Sequence, residues 1–147
     1  MRNLKIFLIL LLSTTMDTIL AQDLSKHRWN DRLIIVVAKD PSHPVFQKQL
    51  AEFERHREGM KERKLVVYQV LPEKYTSGIV KEEQWMASSE MYDTYKSSNS
   101  DFSAVLIGLD GGVKLRKQDL LSCKELFGVI DQMPMRRAEM NKARQNR

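Results

Sequence analysis

The sequence predicts a single α/β domain, a mixed central sheet covered by helices on both faces, in the order β-α-β-α-β-β-α. Three observations carry that expectation. Leu33 to Ala38 (LIIVVA) is a continuous, largely β-branched run, as a strand buried on both faces requires. Segments with apolar residues at helical spacing follow this run and the next one, so strands and helices alternate. "DGG" at Asp110 to Gly112 joins two further strand-like runs and reads as a hairpin turn. A chain of 147 residues, 42% hydrophobic and 29% charged, suits one globular core and excludes a disordered, collagen-like or multi-span membrane protein.

The first 22 residues, MRNLKIFLILLLSTTMDTILAQ, combine Arg2 and Lys5 with an apolar run from Ile6 to Leu12 and the small residue Ala21. This is a signal-peptide pattern. A membrane anchor is the competing reading, but Ser13 to Thr15 and Asp17 interrupt the run well short of the ~20 apolar residues that span a bilayer. Residues 1–21 are therefore expected to be removed after Ala21. The mature domain then runs from Gln22 to Arg147, secreted or periplasmic, without a transmembrane anchor.

Within that domain, Pro44 suits the first turn of a helix, and Phe46, Leu50, Phe53 and Met60 recur on one helical face. Leu65 to Leu71 (LVVYQVL) is a second strand ended by Pro72. A long polar connection then leads to a helix expected around Glu82 to Lys96, where Ala87, Met91 and Tyr95 line one face, flanked by Trp85 and Tyr92. Phe102 to Leu109 is the third strand, and Val113 to Arg116 returns antiparallel after the DGG turn. Ser122 and Glu125 form the S-x-x-E signature that opens a last helix with Leu126, Phe127, Ile130 and Met133 inward and Pro134 at its end. Long crossovers are expected to make the first three strands parallel.

This order is a thioredoxin-like arrangement. Against it, the stretches HRWNDRLIIVVA (His27 to Ala38), LIGLDGGVKLR (Leu106 to Arg116) and LFGVIDQMPMRRAEM (Leu126 to Met140) closely resemble the DUDES family. That family is a secreted, peroxiredoxin-related domain of unknown function. It occurs in short bacterial proteins and, repeated, in animal matrix proteins such as equarin and the sushi-repeat-containing proteins. The resemblance implies the fold and an extracytoplasmic setting, and brings no established catalytic residues with it. Leu109 stands where bacterial relatives commonly have lysine.

In redox-active thioredoxin folds the turn after the first strand carries a cysteine whose thiolate is stabilised at a helix N-terminus. Here that turn reads Lys39-Asp40-Pro41-Ser42-His43-Pro44 and holds no thiol. Ser42 and His43 are adjacent, yet nothing in the sequence supplies the oriented base and oxyanion site a serine nucleophile needs. Cys123 is the only cysteine, so the chain makes no internal disulfide. Its place in the first turn of the last helix favours a thiolate, while its spacing to Leu126 and Phe127 places it on the face that packs. His27, His43 and His56 are scattered, and His56 with Glu52 reads as a pair on a solvated helix face, so no metal site and no cofactor are expected.

Taking Arg2, Lys5 and Asp17 from the 24 basic and 19 acidic residues leaves 22 and 18, a net charge of +4. The excess lies in a basic C-terminal tail, residues 134–147, where Arg136, Arg137, Lys142, Arg144 and Arg147 face Glu139 alone. Such a distribution argues against a nucleic-acid surface, which spreads basic residues over a face and interleaves aromatics. Lys114 and Arg116 share one face of the hairpin strand, and with Arg136 and Arg137 they form a candidate patch for an anionic partner. Alternatively, these charges protect an edge strand and solubilise a frayed terminus. The expected function is a secreted, non-catalytic binding module, bacterial and associated with an envelope or matrix component. The alternative is a one-cysteine oxidoreductase or peroxidase using Cys123.

Overall fold

The computed structural model describes residues 24–80 and 84–146. The expected signal peptide, the first residues of the expected mature chain and the start of the helix expected at Glu82 lie outside the described residues. The element order is β1 (Arg32–Ala38), α1 (Pro44–Arg55), α2 (Arg57–Glu62), β2 (Leu65–Leu71), β3 (Lys74–Ser77), β4 (Met86–Ala87), α3 (Glu90–Tyr95), β5 (Phe102–Ile107), β6 (Val113–Lys117), α4 (Cys123–Asp131) and α5 (Pro134–Gln145).

The strands form one mixed sheet in the order β4-β3-β2-β1-β5-β6. All of β1 is buried, as its apolar run demands, and it is central. Its alternate residues serve two cores. Ile34, Val36 and Ala38 meet Phe46 and Phe53 of α1, Met60 of α2 and Leu126 and Ile130 of α4. Leu33, Ile35 and Val37 meet Met91 of α3 and the Tyr68 and Tyr75 side chains on the other face. A fully buried Phe or Leu contributes about 1.5–3 kcal/mol, so these two layers supply the fold without any cross-link.

Three sequence expectations are corrected. Only β2 runs parallel to β1, whereas β5 is antiparallel to it, with Ala38 opposite Phe102 and Leu33 opposite Ile107. The reason lies in the connection after β2, which contains the ribbon β3–β4 and then only a short helix, so β5 starts beside the C-terminal end of β1 and runs back. Next, the helix expected from Glu82 is confined to Glu90–Tyr95, and Met86–Ala87 instead pairs with Lys74 and Tyr75. Finally, Pro134 begins a helix rather than only ending one. It occupies the first helical turn of α5, where its missing N–H costs nothing.

The hairpin is as expected, with a bulge between Leu106 and Ile107. Of its two turn glycines only Gly111 has positive φ, +82°. The Ser122 hydroxyl accepts from the Glu125 N–H at 3.2 Å and caps α4, while the Glu125 carboxylate, instead of closing the reciprocal box, turns to Lys117. Among the described residues no helix is long and apolar enough to cross a membrane.

Candidate functional site

The β1–α1 turn is where a redox thioredoxin fold keeps its thiol. In this chain Asp40 organises it. One carboxylate oxygen accepts from the Ser42 N–H at 2.7 Å and from the Ser42 hydroxyl at 2.6 Å, and these bonds hold the Asp40 carboxyl below its ordinary pKa. His43 stacks on Phe102, centroids 6.0 Å apart and rings 12° from parallel. The Ser42 hydroxyl therefore donates to Asp40 and not to His43, and the adjacent Ser42–His43 pair has no nucleophile–base geometry.

The sole cysteine is set by two side chains of α1. Gln49 donates to the Leu121 carbonyl and accepts from the Leu121 N–H, both at 2.8 Å in a fully buried setting. One turn further along, Glu52 Oε1 accepts the Cys123 N–H at 2.9 Å, so a carboxylate from α1 meets the first turn of α4. Cys123 is completely buried, and its Sγ–H points to the Glu52 carbonyl at 3.8 Å. Burial pushes the thiol up to about 12 and the Glu52 carboxylate adds to the rise, outweighing Arg55 and Arg63. The helix N-terminus does not rescue the thiolate here, because desolvation is the larger effect.

His56 joins this group from the break between α1 and α2, where its backbone leaves the helix at φ −113°, ψ 25°. Its Nδ1 lies 2.9 Å from the Glu52 carbonyl and 3.6 Å from Glu52 Oε1, with the ring edge-on to Phe127. One donor atom each from Glu52, His56 and Cys123 lies within 4.8 Å of the others. In sequence, Glu52 and His56 read as a surface pair. The α1–α4 packing brings in Cys123 from 71 residues away.

The basic residues singled out in the sequence have separate places. Lys114 pairs with Asp110 at 2.6 Å, and Arg116 donates to the Tyr95 carbonyl at 2.7 Å. Arg137 is exposed on α5. Arg136 is buried and belongs to an ion network. It binds Glu62, Asp131 and Glu139 together with the Glu62 carbonyl. Arg63 reaches Asp131 through two bonds of 3.0 and 2.6 Å, and the buried Arg32 reaches Glu139 through two of 3.3 and 3.4 Å. Burial alone would raise the Asp131 carboxyl, but the two guanidinium groups bring it below its ordinary value. Beside Arg32, a cavity of about 340 Å³ opens between the hairpin and α5, lined by Leu109, Lys114, Met133 and Met135 among others.

A family model described as a domain of unknown function (DUF4174) matches residues 23–139 of this chain. The chain belongs to the DUF4174 family. No curated protein matches it. Among solved structures it is similar to the reduced 2-Cys peroxiredoxin of Plasmodium vivax, with a TM-score of 0.55 and 13% identity over 80% of this chain and 84% of that one. That likeness is one of fold, and the mixed sheet with its flanking helices is a thioredoxin-like architecture.

The span matched to the DUF4174 family contains the whole ion network, from Arg32 to Glu139. Asp131, Arg136 and Glu139 all come from the stretch IDQMPMRRAEM, whose Met-Pro corner turns the chain from α4 into α5. The stretch HRWND has a similar structural reading. His27 Nδ1 meets Asp31 at 2.8 Å and Nε2 meets the buried Tyr68 hydroxyl at 2.9 Å, a chain that the sequence reading of scattered histidines missed, although the i, i+4 spacing of His27 and Asp31 offered a signal for half of it. Trp29, at φ +67°, sends its N–H to the Leu109 carbonyl at 2.7 Å. These motif residues hold the ends of the sheet.

Proposed function

We propose that this DUF4174 domain is a secreted, non-catalytic thioredoxin-like binding module that acts on an anionic component of a bacterial envelope or of an extracellular matrix. The observation that carries the non-catalytic reading is the state of Cys123. A thiol that is completely buried and pushed up to about 12 is protonated at neutral pH and out of reach of peroxides and disulfides. The signal-peptide pattern supports secretion, and the resemblance to DUDES domains of matrix proteins supports the setting.

The basic residues open to a partner in this reading stand on two elements. Lys114 and Arg116 stand on β6, while Arg137 and Arg144 follow one another at i and i+7 along α5. Arg136 contributes by holding α5 in place rather than by contacting the partner, because three carboxylates already surround it.

The decisive experiment compares thiol-reagent labelling of Cys123 in the folded chain from Gln22 to Arg147 with labelling in denaturant, followed by mass spectrometry after mild peroxide. Labelling that proceeds only through unfolding is the expected result. Fast native labelling with a sulfenic product would overturn the reading in favour of a one-cysteine peroxidase. These basic residues are tested separately on immobilised heparin, where Lys114→Glu with Arg137→Glu should elute at lower salt while Arg136 is left intact.

A further inference from the structure

We propose that Glu52, His56 and Cys123 form a binding site for a zinc-like divalent cation, in which Cys123 serves as a ligand rather than as a nucleophile. The three donors are a thiol sulfur, an imidazole nitrogen and a carboxylate oxygen. That mixture suits a borderline cation such as Zn²⁺ and is foreign to Ca²⁺ or Mg²⁺, which take oxygen ligands.

Their present separations are all within 4.8 Å, so none exceeds that of a closed site by more than an ångström or so. Tetrahedral bonds of ~2.0–2.3 Å place ligand atoms ~3.3–3.6 Å apart, and Nδ1 to Oε1 already measures 3.6 Å. The remaining closure concerns the sulfur and the two other donors. Cys123 is fixed in the first turn of α4 by Glu52 and the Gln49 clamp, so His56 is the group that moves. Its side chain is 46% exposed and sits at the helix break, where the backbone N–H bonds the Phe53 carbonyl three residues back and the carbonyl takes the Met60 N–H, so the imidazole turns without disturbing either helix. On binding, Nδ1 leaves the Glu52 carbonyl and loses its proton to solvent while the exposed Nε2 takes one up, so the neutral ring presents the Nδ1 lone pair to the cation.

Charge and access agree with this assignment. The Glu52 carboxylate and the Cys123 thiolate together balance a dication, and the thiol proton leaves to solvent as the metal–sulfur bond forms. Glu52 keeps its bond to the Cys123 N–H, since a carboxylate has lone pairs for both partners. Arg55, 3.4 Å from Glu52 Oε2, is 70% exposed and has room to swing away. An open depression lined by Arg55, His56, Gly59 and Phe127 reaches the imidazole from solvent, which gives the ion its entry.

The test is a Co²⁺ titration of the untagged mature chain, monitored by absorption. Binding at this site produces a thiolate-to-cobalt charge-transfer band in the near ultraviolet together with tetrahedral d–d bands, and Zn²⁺ bleaches both. Cys123→Ser should remove the charge-transfer band. His56→Ala, at an exposed position with little effect on folding, should weaken Co²⁺ binding by at least about tenfold, the smallest loss expected where even a group that only orients a ligand matters that much. A folded chain without the charge-transfer band, or with Co²⁺ affinity unchanged in His56→Ala, overturns the site. Neither outcome depends on whether the hairpin face binds anions.

Discussion

Replacing Gln49 by leucine should destabilise the domain by about 2–5 kcal/mol, more than most substitutions of a polar residue by an apolar one of similar size. Gln49 is fully buried on α1, and its amide is joined to both backbone groups of Leu121 at 2.8 Å. Leucine fills the space yet offers neither a donor nor an acceptor. The Leu121 N–H and C=O, themselves buried, are then left without partners, and each such group costs about 1–3 kcal/mol. Gains from the extra apolar surface offset part of that sum. Against a total stability of about 5–15 kcal/mol, the loss is easily measured. Urea unfolding followed by circular dichroism gives the difference, and Gln49→Met, unbranched like glutamine but without donor or acceptor, separates the lost hydrogen bonds from any misfit of the leucine branch. Because Leu121 leads directly into α4, thiol labelling of Cys123 should also accelerate in Gln49→Leu. A cost below about 1 kcal/mol, or unchanged labelling, would refute the idea that this clamp sets the cysteine.

Asp131→Asn should cost about 2 kcal/mol at pH 7, between the values for exposed and buried pairs, since the carboxylate bridges Arg63 and Arg136 but is 31% exposed. The folded carboxyl lies below its ordinary 3.8, so its stabilisation is complete above that pH and is lost as pH falls through the folded value. Consequently, wild type and Asp131→Asn should converge in stability below pH 4, and parallel pH profiles down to pH 2 would count against the ion network. Gly111→Ala meets nothing closer than an ordinary van der Waals contact, Arg28 Nε at 3.7 Å, so its loss of about 1 kcal/mol in thermal unfolding should reflect positive φ alone. N-terminal sequencing of protein recovered outside the cytoplasm should begin at Gln22, and recovery of a chain beginning at Met1 would contradict secretion by cleavage.

Elements whose burial repeats along the chain were legible in the sequence, and those whose partners are distant were not. LIIVVA announced a strand with two buried faces, and β1 uses alternate residues for the two cores. Ser122 and DGG are local chemistry and were read locally. The segment from Trp85 to Tyr95 misled because its apolar spacing imitates one helix. In the structure Trp85 packs with the core beneath α1 and α4, whereas Met91, Tyr92 and Tyr95 pack with the core on the opposite side of the sheet. A single straight helix has one apolar stripe and cannot serve both, so the chain spends Met86–Ala87 on an edge pairing and starts α3 only after passing the sheet. The same distance argument applies to the candidate site. Periodicity correctly put Cys123 on a packing face, but its neighbours are decided by which turn of α1 lies against α4, and that choice rests on Gln49. A glutamine between Phe46 and Phe53 on the buried face of α1 is the one signal that could have pointed there. It marks where α1 must hydrogen-bond to another element, and three and seven residues later stand Glu52 and His56, the two side chains that this contact brings to the thiol.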